Sequence, residues 1–203
     1  MLTVLDVLRS ESDTLIRALG DLPAVAWERP TRCTPWLIRD LTGHLVVTMS
    51  RLPGMVAGPA PARAEVTAAG YYRPDGRFDA GTDADRVESA RRHAAGASPA
   101  DLIATLAESC HAAIVAAAGQ SPGRVVLTRH GDPMLLTEFL TTRVVELGLH
   151  GLDIADAAGR PPWITAAATD HLLRLLFPDT PPKLALLRLA TGRGAEPRLA
   201  FRP

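Results

Sequence analysis

The sequence predicts an all-α protein, an up-and-down four-helix bundle with one long crossover. Four long segments repeat apolar residues at helical spacing, and a stretch rich in proline, glycine and alanine separates the second from the third. A chain of 203 residues is long enough to bury a substantial core in one domain. We therefore assign residues 1–203 to a single domain, with the bundle over about 1–160 and a helical extension over about 161–203.

The first two predicted helices cover residues 2–20 and 35–53, and both carry an apolar stripe. The stripe of the first consists of Leu2, Leu5, Leu8, Leu15 and Leu19. In the second, Thr34 can cap the helix and Pro35 suits its first turn, because the N–H that proline lacks would be unpaired there anyway. Residues 53–82 are predicted to form a long irregular connection, a type of segment that often serves as a lid or binding loop.

The remaining helices are predicted at residues 83–95, 98–118, 137–158 and 164–177. Ser98 and Pro99 mark the start of the third long helix, and Gly159 marks the end of the fourth. Alternating residues around the sequence Gly-Asp-Pro at 131–133 predict a short β-hairpin before the fourth long helix. The segment after residue 180 is expected to add one or two further helical turns.

Charge and composition restrict the classes of function. With 22 basic and 22 acidic residues, the chain offers no electrostatic case for binding nucleic acid or an anionic membrane. The opening MLTVLDVLRSESD lacks the features of a signal peptide, and no uninterrupted apolar run reaches the roughly 18 residues of a membrane span. Cys33 and Cys110 do not form a CxxC pair. We therefore expect a cytoplasmic monomer or homodimer with two free thiols.

Polar residues of the fourth long helix fall on one arc at helical spacing, namely Arg143, Glu146, His150 and Asp153. Spacing alone favours a solvated face for this arc. Alternatively, Glu146 and His150 stand one turn apart and can converge on a metal ion, provided that another element supplies a third ligand. The best candidate is His44, at the edge of the second helix's leucine stripe. A lone histidine there is more often a core residue, so both interpretations stay open at this point.

Two motifs carry a resemblance to a known family. Trp27 with the segment PTRCTPWLIRDLTGHL, and the later segment FLTTRVVELGLHGLDIADAAGR, resemble the metal-binding domain of the mycothiol-dependent maleylpyruvate isomerases. That domain belongs to the DinB-like superfamily of four-helix bundles. The similarity in layout covers about residues 1–190, and its specific part lies in the two motifs. The resemblance implies that His44, Glu146 and His150 bind the metal and that mycothiol is the thiol cofactor.

The function implied by the resemblance is that of a divalent-metal enzyme. It would use mycothiol to conjugate or isomerise a small electrophilic substrate, as a thiol S-transferase or an isomerase. Zinc is the first choice of metal, with nickel or iron as alternatives, because histidine and carboxylate ligands suit all of them. The family's isomerases carry a further C-terminal domain for which 203 residues leave no room, so we do not expect maleylpyruvate itself to be the substrate. The alternatives are a thiol-independent metal enzyme of a biosynthetic pathway and a non-catalytic protein that binds a small molecule, for example in resistance.

Further residues are candidates for supporting roles. Asp153 either orients a ligand histidine or is simply solvated. Cys33 precedes a helix but has no evident base partner, so we expect no nucleophile in the protein itself. A carboxylate, a polar substrate or the thiol can be bound by side chains in or beside the long connection, namely Tyr71, Tyr72, Arg77 and Arg86.

Overall fold

The computed structural model describes residues 2–72 and 80–191, which form helices and one small β-hairpin. The helices are α1 (Val4–Gly20), α2 (Ile38–Ser50), α3 (Leu52–Ala57), α4 (Ala68–Tyr71), α5 (Ala80–Ala94), α6 (Pro99–Ala118), α7 (Leu136–Ala158), α8 (Ala166–Leu176) and α9 (Pro182–Ala190). A 3-10 helix covers Ala24–Glu28. Strands β1 (Val125–Leu127) and β2 (Pro133–Leu135) pair antiparallel.

Helices α1, α2, α6 and α7 form the four-helix bundle that the sequence predicts. Each of α1 and α2 packs against both α6 and α7, and α5 covers the outer side of α2. The fully buried side chains at the centre are mostly leucines, among them Leu8, Leu15, Leu41, Leu45, Leu106 and Leu147. The all-α class with a small hairpin is therefore confirmed, and burial of these leucine stripes is the main source of its stability.

Local signals placed several boundaries correctly. Ser98 caps α6 at the predicted start by accepting a hydrogen bond from the backbone N–H of Asp101. Thr3 caps α1 in the same way, although the sequence prediction began that helix at residue 2 without naming a cap. Gly159 ends α7 with φ of 66°, a left-handed conformation that glycine adopts without steric cost. The β-hairpin also lies where alternation predicts it, with Val126 opposite Met134.

The predicted start of the second helix is wrong. Thr34 and Pro35 lie in a turn, and α2 begins only at Ile38. The turn closes on itself, because the backbone N–H of Thr31 donates to the carbonyl of Trp36 at 2.9 Å. Asp40 then takes over the capping role by accepting from the backbone N–H of Leu37 at 3.1 Å. The preceding loop is thereby held against the bundle and brings its side chains toward α7.

The predicted irregular connection over residues 53–82 is also partly wrong. Pro53 lies in the first turn of α3 rather than ending a helix, since a proline costs no hydrogen bond at that position. Thr67 caps the short helix α4 by accepting from the backbone N–H of Gly70 at 3.1 Å. Helix α5 begins at Ala80. Arg77, one of the predicted binding residues, lies outside the described residues.

A glycine in α2 permits close packing of α5. A Cβ atom added at Gly43 would lie 2.5 Å from the backbone carbonyl oxygen of Ala90. Only glycine allows this approach without a shift of one helix. The contact matters for the site because His44 follows directly and α5 forms one wall of the adjacent cavity.

One helix among the described residues, α6, is long and apolar enough to cross a membrane when judged by length and composition alone. It is not an uninterrupted apolar run, because it contains Asp101 and Glu108. In this fold α6 packs against α1 and α2, and its buried side chains belong to the core. Core helices of soluble proteins meet the same criterion, so the observation is weak evidence for a membrane.

Candidate metal centre

The three predicted metal ligands lie close together, although His44 is about a hundred positions away in sequence from Glu146 and His150. His44 projects from α2, while Glu146 and His150 project from α7. The Oε2 atom of Glu146 lies 3.1 Å from Nε2 of His44 and 3.4 Å from Nε2 of His150. The three possible ligand atoms all lie within 4.8 Å of one another. Ligand atoms held tetrahedrally at about 2.0–2.1 Å from one ion are separated by roughly 3.3 Å, so this donor set fits a divalent cation.

The three side chains line a cavity of about 610 Å³. Its walls come from α2, α5 and α7, from the C-terminal end of α4 and from the turn between the two strands. The side chains of His44, Glu146 and His150 are 12%, 15% and 17% exposed, which is enough for contact with a ligand in the cavity. A cation held there would therefore be mostly shielded from bulk water on the bundle side and accessible from the cavity.

Each of the three residues is held by a neighbour. The ring of Trp36 stacks on the ring of His44 with centroids 4.8 Å apart. The hydroxyl of Tyr72 lies 3.2 Å from Oε1 of Glu146, and Oδ2 of Asp153 lies 3.0 Å from Nδ1 of His150. Neighbours of this kind fix ring orientation and tautomer in metal sites.

The electrostatics of the cluster separate its two histidines. Burial lowers the pKa of His44 to about 4, against the opposing effect of Glu146. Burial also disfavours a charged His150, but hydrogen bonds with Asp153, Cys33 and Glu146 outweigh it and raise the pKa of His150 well above its ordinary value. Burial works against an ionised Glu146 in the same way, yet the two histidines hold the pKa of this carboxyl well below its usual range. Without a cation, His150 is thus positively charged and lies beside the carboxylate of Glu146. A metal ion would have to displace the extra proton of His150 in order to bind there.

The structure corrects the expectation that Cys33 has no basic partner. Its Sγ atom donates to Oδ2 of Asp153 at 3.2 Å and lies 3.9 Å from Nδ1 of His150. Cys33, His150 and Asp153 form a second group with ligand atoms within 4.8 Å of one another, which shares His150 with the first group. The turn at residues 31–36 creates this contact, and sequence spacing gives no sign of it. Both cysteines are free, as predicted.

The residues predicted to bind substrate or thiol are placed as follows. Tyr71, Tyr72 and Arg86 line the cavity. Burial, followed by the Glu146 carboxylate, raises the pKa of Tyr72 well above its ordinary value, so its hydroxyl stays protonated and can donate. Further residues line the same cavity but were not predicted from the sequence, notably Trp36, Arg51 and Arg129. Trp36 belongs to the first of the two quoted motifs, and that was the only signal for it.

The fold and this site define a class of protein, a helical bundle with two histidines and a carboxylate gathered at a ligand-sized cavity. Residues 8–155 match the family described as the mycothiol maleylpyruvate isomerase N-terminal domain. The chain belongs to that family. An uncharacterized protein of Mycobacterium tuberculosis, found in two strains, is 32% identical over 200 residues, covering 91% of this chain and 72% of the relative.

Two solved structures are similar in fold. They are crystal structures of the mycothiol-dependent maleylpyruvate isomerase and of a mutant in which one histidine is replaced by alanine. Their TM-scores are 0.61 and 0.60, at 17% and 16% sequence identity, and each comparison covers 87% of this chain and 72% of the other. At this identity the likeness shows the fold.

Proposed function

We propose that this protein is a divalent-metal enzyme that uses mycothiol to conjugate or isomerise a small electrophilic substrate. The observation that carries the proposal is the convergence of His44, Glu146 and His150 on one wall of the cavity. The family supports the choice of a thiol cofactor, because its description and the solved structures similar in fold name mycothiol. Zinc is the metal we expect first, and a cytoplasmic location fits a thiol that must stay reduced.

The donor set supports a catalytic rather than a purely structural site. Two neutral imidazoles and one carboxylate supply three ligands, which leaves one position of a tetrahedral ion for a thiol or substrate. A divalent cation bound there would stabilise the thiolate form of a thiol at neutral pH. The cavity beside the three residues has the volume of a site for a small molecule.

The protein's own residues would do the work of positioning. Trp36 holds the ring of His44 by stacking, and Tyr72 holds the carboxylate of Glu146 by its hydroxyl. Asp153 accepts a hydrogen bond from Nδ1–H of His150 and so leaves Nε2 directed at the shared centre. These contacts order the ligands before a metal arrives, which reduces the entropic cost of assembling the site.

Metal analysis tests the shared premise. The protein is purified without added zinc, and its divalent metal content is measured by mass spectrometry for the wild type and for His44→Ala, Glu146→Ala and His150→Ala. We expect about one equivalent in the wild type and a loss in each variant. His111→Ala is the matched control, because this histidine is exposed on α6 and lies outside the cavity lining. Less than about a tenth of an equivalent in wild type after incubation with zinc would refute the proposal.

Product analysis tests the thiol. Metal-loaded protein is incubated with mycothiol and a panel of activated alkenes and alkyl halides, and S-conjugates and isomers are identified by mass spectrometry. We expect turnover with mycothiol, little with glutathione, and none with His150→Ala. Bound metal without any thiol-dependent product would instead favour the thiol-independent or non-catalytic alternatives.

A further inference from the structure

Arginines from separate elements gather at one part of the main cavity. Arg51 follows the last residue of α2, Arg129 lies in the turn between the strands, and Arg143 lies in the first half of α7. All three line the cavity that also contains the His44, Glu146 and His150 cluster. Arg86 of α5 completes the group. Three of these arginines, Arg51, Arg86 and Arg129, also border a smaller adjoining cavity of about 150 Å³.

Arg143 is a buried charge without a carboxylate partner among the described residues. Its side chain belongs to a residue that is only 5% exposed. The guanidinium donates to the backbone carbonyl of Thr48 at 3.1 Å and to the hydroxyl of Thr142, and it lies 4.5 Å from the ring centre of Phe139. Each of its three nitrogens thus donates one hydrogen bond, but none of these partners supplies a negative charge. Burying an uncompensated charge is costly, so such residues usually mark a place where an anion binds.

Arg51 and Arg129 resemble Arg143 in having no carboxylate partner among the described residues. The acidic residues in the main cavity's lining all come from α7, namely Glu146, Asp153 and Asp156. Glu146 and Asp153 are engaged by the histidines. Asp85 borders the smaller cavity, where it faces three arginines.

The positive charges of the neighbouring arginines affect the pKa of Arg51. Burial lowers the pKa of Arg51, and the positive charges of Arg129, Arg143 and Arg86 lower it further. A ligand that supplies a negative charge would therefore stabilise Arg51 and Arg129, which have no acidic partner among the described residues.

We propose that Arg51, Arg129 and Arg143 form an anion subsite for a carboxylate or phosphate group of the substrate. The reactive carbon of the same molecule would then face His44, Glu146 and His150. That second statement rests on the proposed function, whereas anion binding by the arginines does not. Guanidinium groups suit this task because their planar N–H forks match both carboxylate and phosphate oxygens.

One small molecule can contact the arginines and the three candidate metal ligands together, because all of them line a single cavity of about 610 Å³. Arg51 follows His44 by seven residues, just after the last residue of α2, so their Cα atoms are separated by roughly 10 Å along the helix axis. The proposal therefore concerns small organic acids or small phosphate esters that carry an electrophilic carbon.

Calorimetric titration of the metal-free protein with inorganic phosphate and, separately, with succinate tests the subsite. Omitting the metal prevents either probe from ligating a cation instead. We expect Arg51→Gln and Arg129→Gln each to weaken binding of the preferred probe at least about tenfold, since each removes a charge-assisted hydrogen bond. Arg9→Gln is the matched control, because Arg9 is exposed on α1 away from the cavity, and it should change the affinity by less than about twofold. Arg143 is not used for the test, since its contacts with Thr48 and Thr142 also support the fold.

Each outcome bears on the proposal. Loss of affinity in both cavity variants with an unchanged control supports it, and the tighter of the two probes identifies the phosphate or the carboxylate as the preferred group. Equal affinity in all four proteins, or no binding of either probe at about 10 mM, overturns it. Anion titration of His150→Ala and zinc binding by Arg51→Gln together separate the two proposals, because a failed metal site leaves anion binding intact while a failed subsite leaves zinc binding intact.

Discussion

Replacing Asp153 by asparagine tests how far the surroundings of the cluster control metal affinity. Its Oδ2 atom lies 3.0 Å from Nδ1 of His150 and 3.2 Å from Sγ of Cys33, and a carboxylate oxygen can accept from both. Asparagine keeps the shape, and its Oδ1 can take the position of this oxygen, but it lacks the negative charge that strengthens both hydrogen bonds. The ring of His150 should then be less firmly directed toward Glu146.

The size of the effect follows from comparable metal sites. Loss of a carboxylate that orients a ligand histidine typically weakens metal binding by about 10–100-fold. This corresponds to roughly 1.4–2.7 kcal/mol of binding free energy. The contact is well shielded, because the Asp153 side chain is only 15% exposed, so we expect a value inside this range rather than below it. Zinc affinity is measured at pH 7 by competition with a chromogenic chelator, and the absorption spectrum of the cobalt-substituted protein reports the ligand geometry.

A matched variant separates orientation from charge. Asp156→Asn removes the same charge from the same helix and the same cavity lining, but Asp156 is exposed and has no contact with His150. If orientation is the cause, Asp156→Asn changes zinc affinity by less than about threefold and leaves the cobalt spectrum unaltered. Equal weakening in both variants, or an unchanged affinity in Asp153→Asn, would refute the reasoning.

Three further substitutions give independent tests. Gly43→Ala should destabilise the protein by about 1–3 kcal/mol in urea unfolding, because its Cβ would lie 2.5 Å from a backbone oxygen of α5. Burial raises the pKa of Glu11 despite its hydrogen bond from the backbone N–H of Thr165, so the folded state holds the proton more tightly than the unfolded state. Wild type should therefore lose stability relative to Glu11→Gln as the pH rises from about 4 to 7. Cys33→Ala should bind zinc a few-fold more weakly than Cys33→Ser, because serine retains a donor for Asp153.

Each of these tests has a control or a contrary result. Gly54→Ala is the control for Gly43→Ala, because a Cβ atom at Gly54 has no neighbouring atom within 4 Å. Alanine should therefore be tolerated or stabilising at this position. For Glu11, a stability difference that does not vary with pH would show that its ionisation is not coupled to folding. For Cys33, equally severe loss of zinc in the serine and alanine variants would identify the thiol as a metal ligand in its own right.

Much of the fold could be predicted because its signals are local. Ser98 and Gly159 lie next to the helix boundaries that they determine, and apolar residues at helical spacing locate the bundle helices. The same local reasoning failed at Thr34 and Pro35, where a hydrogen-bonded turn competes with the helix for the same residues. Capping preferences show only that Thr34 and Pro35 are compatible with a helix start. The hydrogen-bonded turn at residues 31–36 is what delays the helix until Ile38.

The polar arc of α7 shows where periodicity stops being informative. Spacing placed Arg143, Glu146, His150 and Asp153 on one face and favoured solvent for it, yet Arg143 is buried and all four residues line the cavity. A polar face directed into a cavity and one directed into bulk water produce the same periodic pattern. For this helix, only the family motifs distinguished the two before the structure did.

The sequence by itself determined the four long bundle helices and the family, because these depend on spacings within a helix and on short contiguous motifs. Only the tertiary structure decided which side chains share the cavity. Cys33 meets Asp153 across 120 positions, and Arg51, Arg129 and Arg143 come from separate elements. Such contacts are set by the packing of whole helices and by loop closure, and nothing in the neighbourhood of any one of these residues encodes its distant partner.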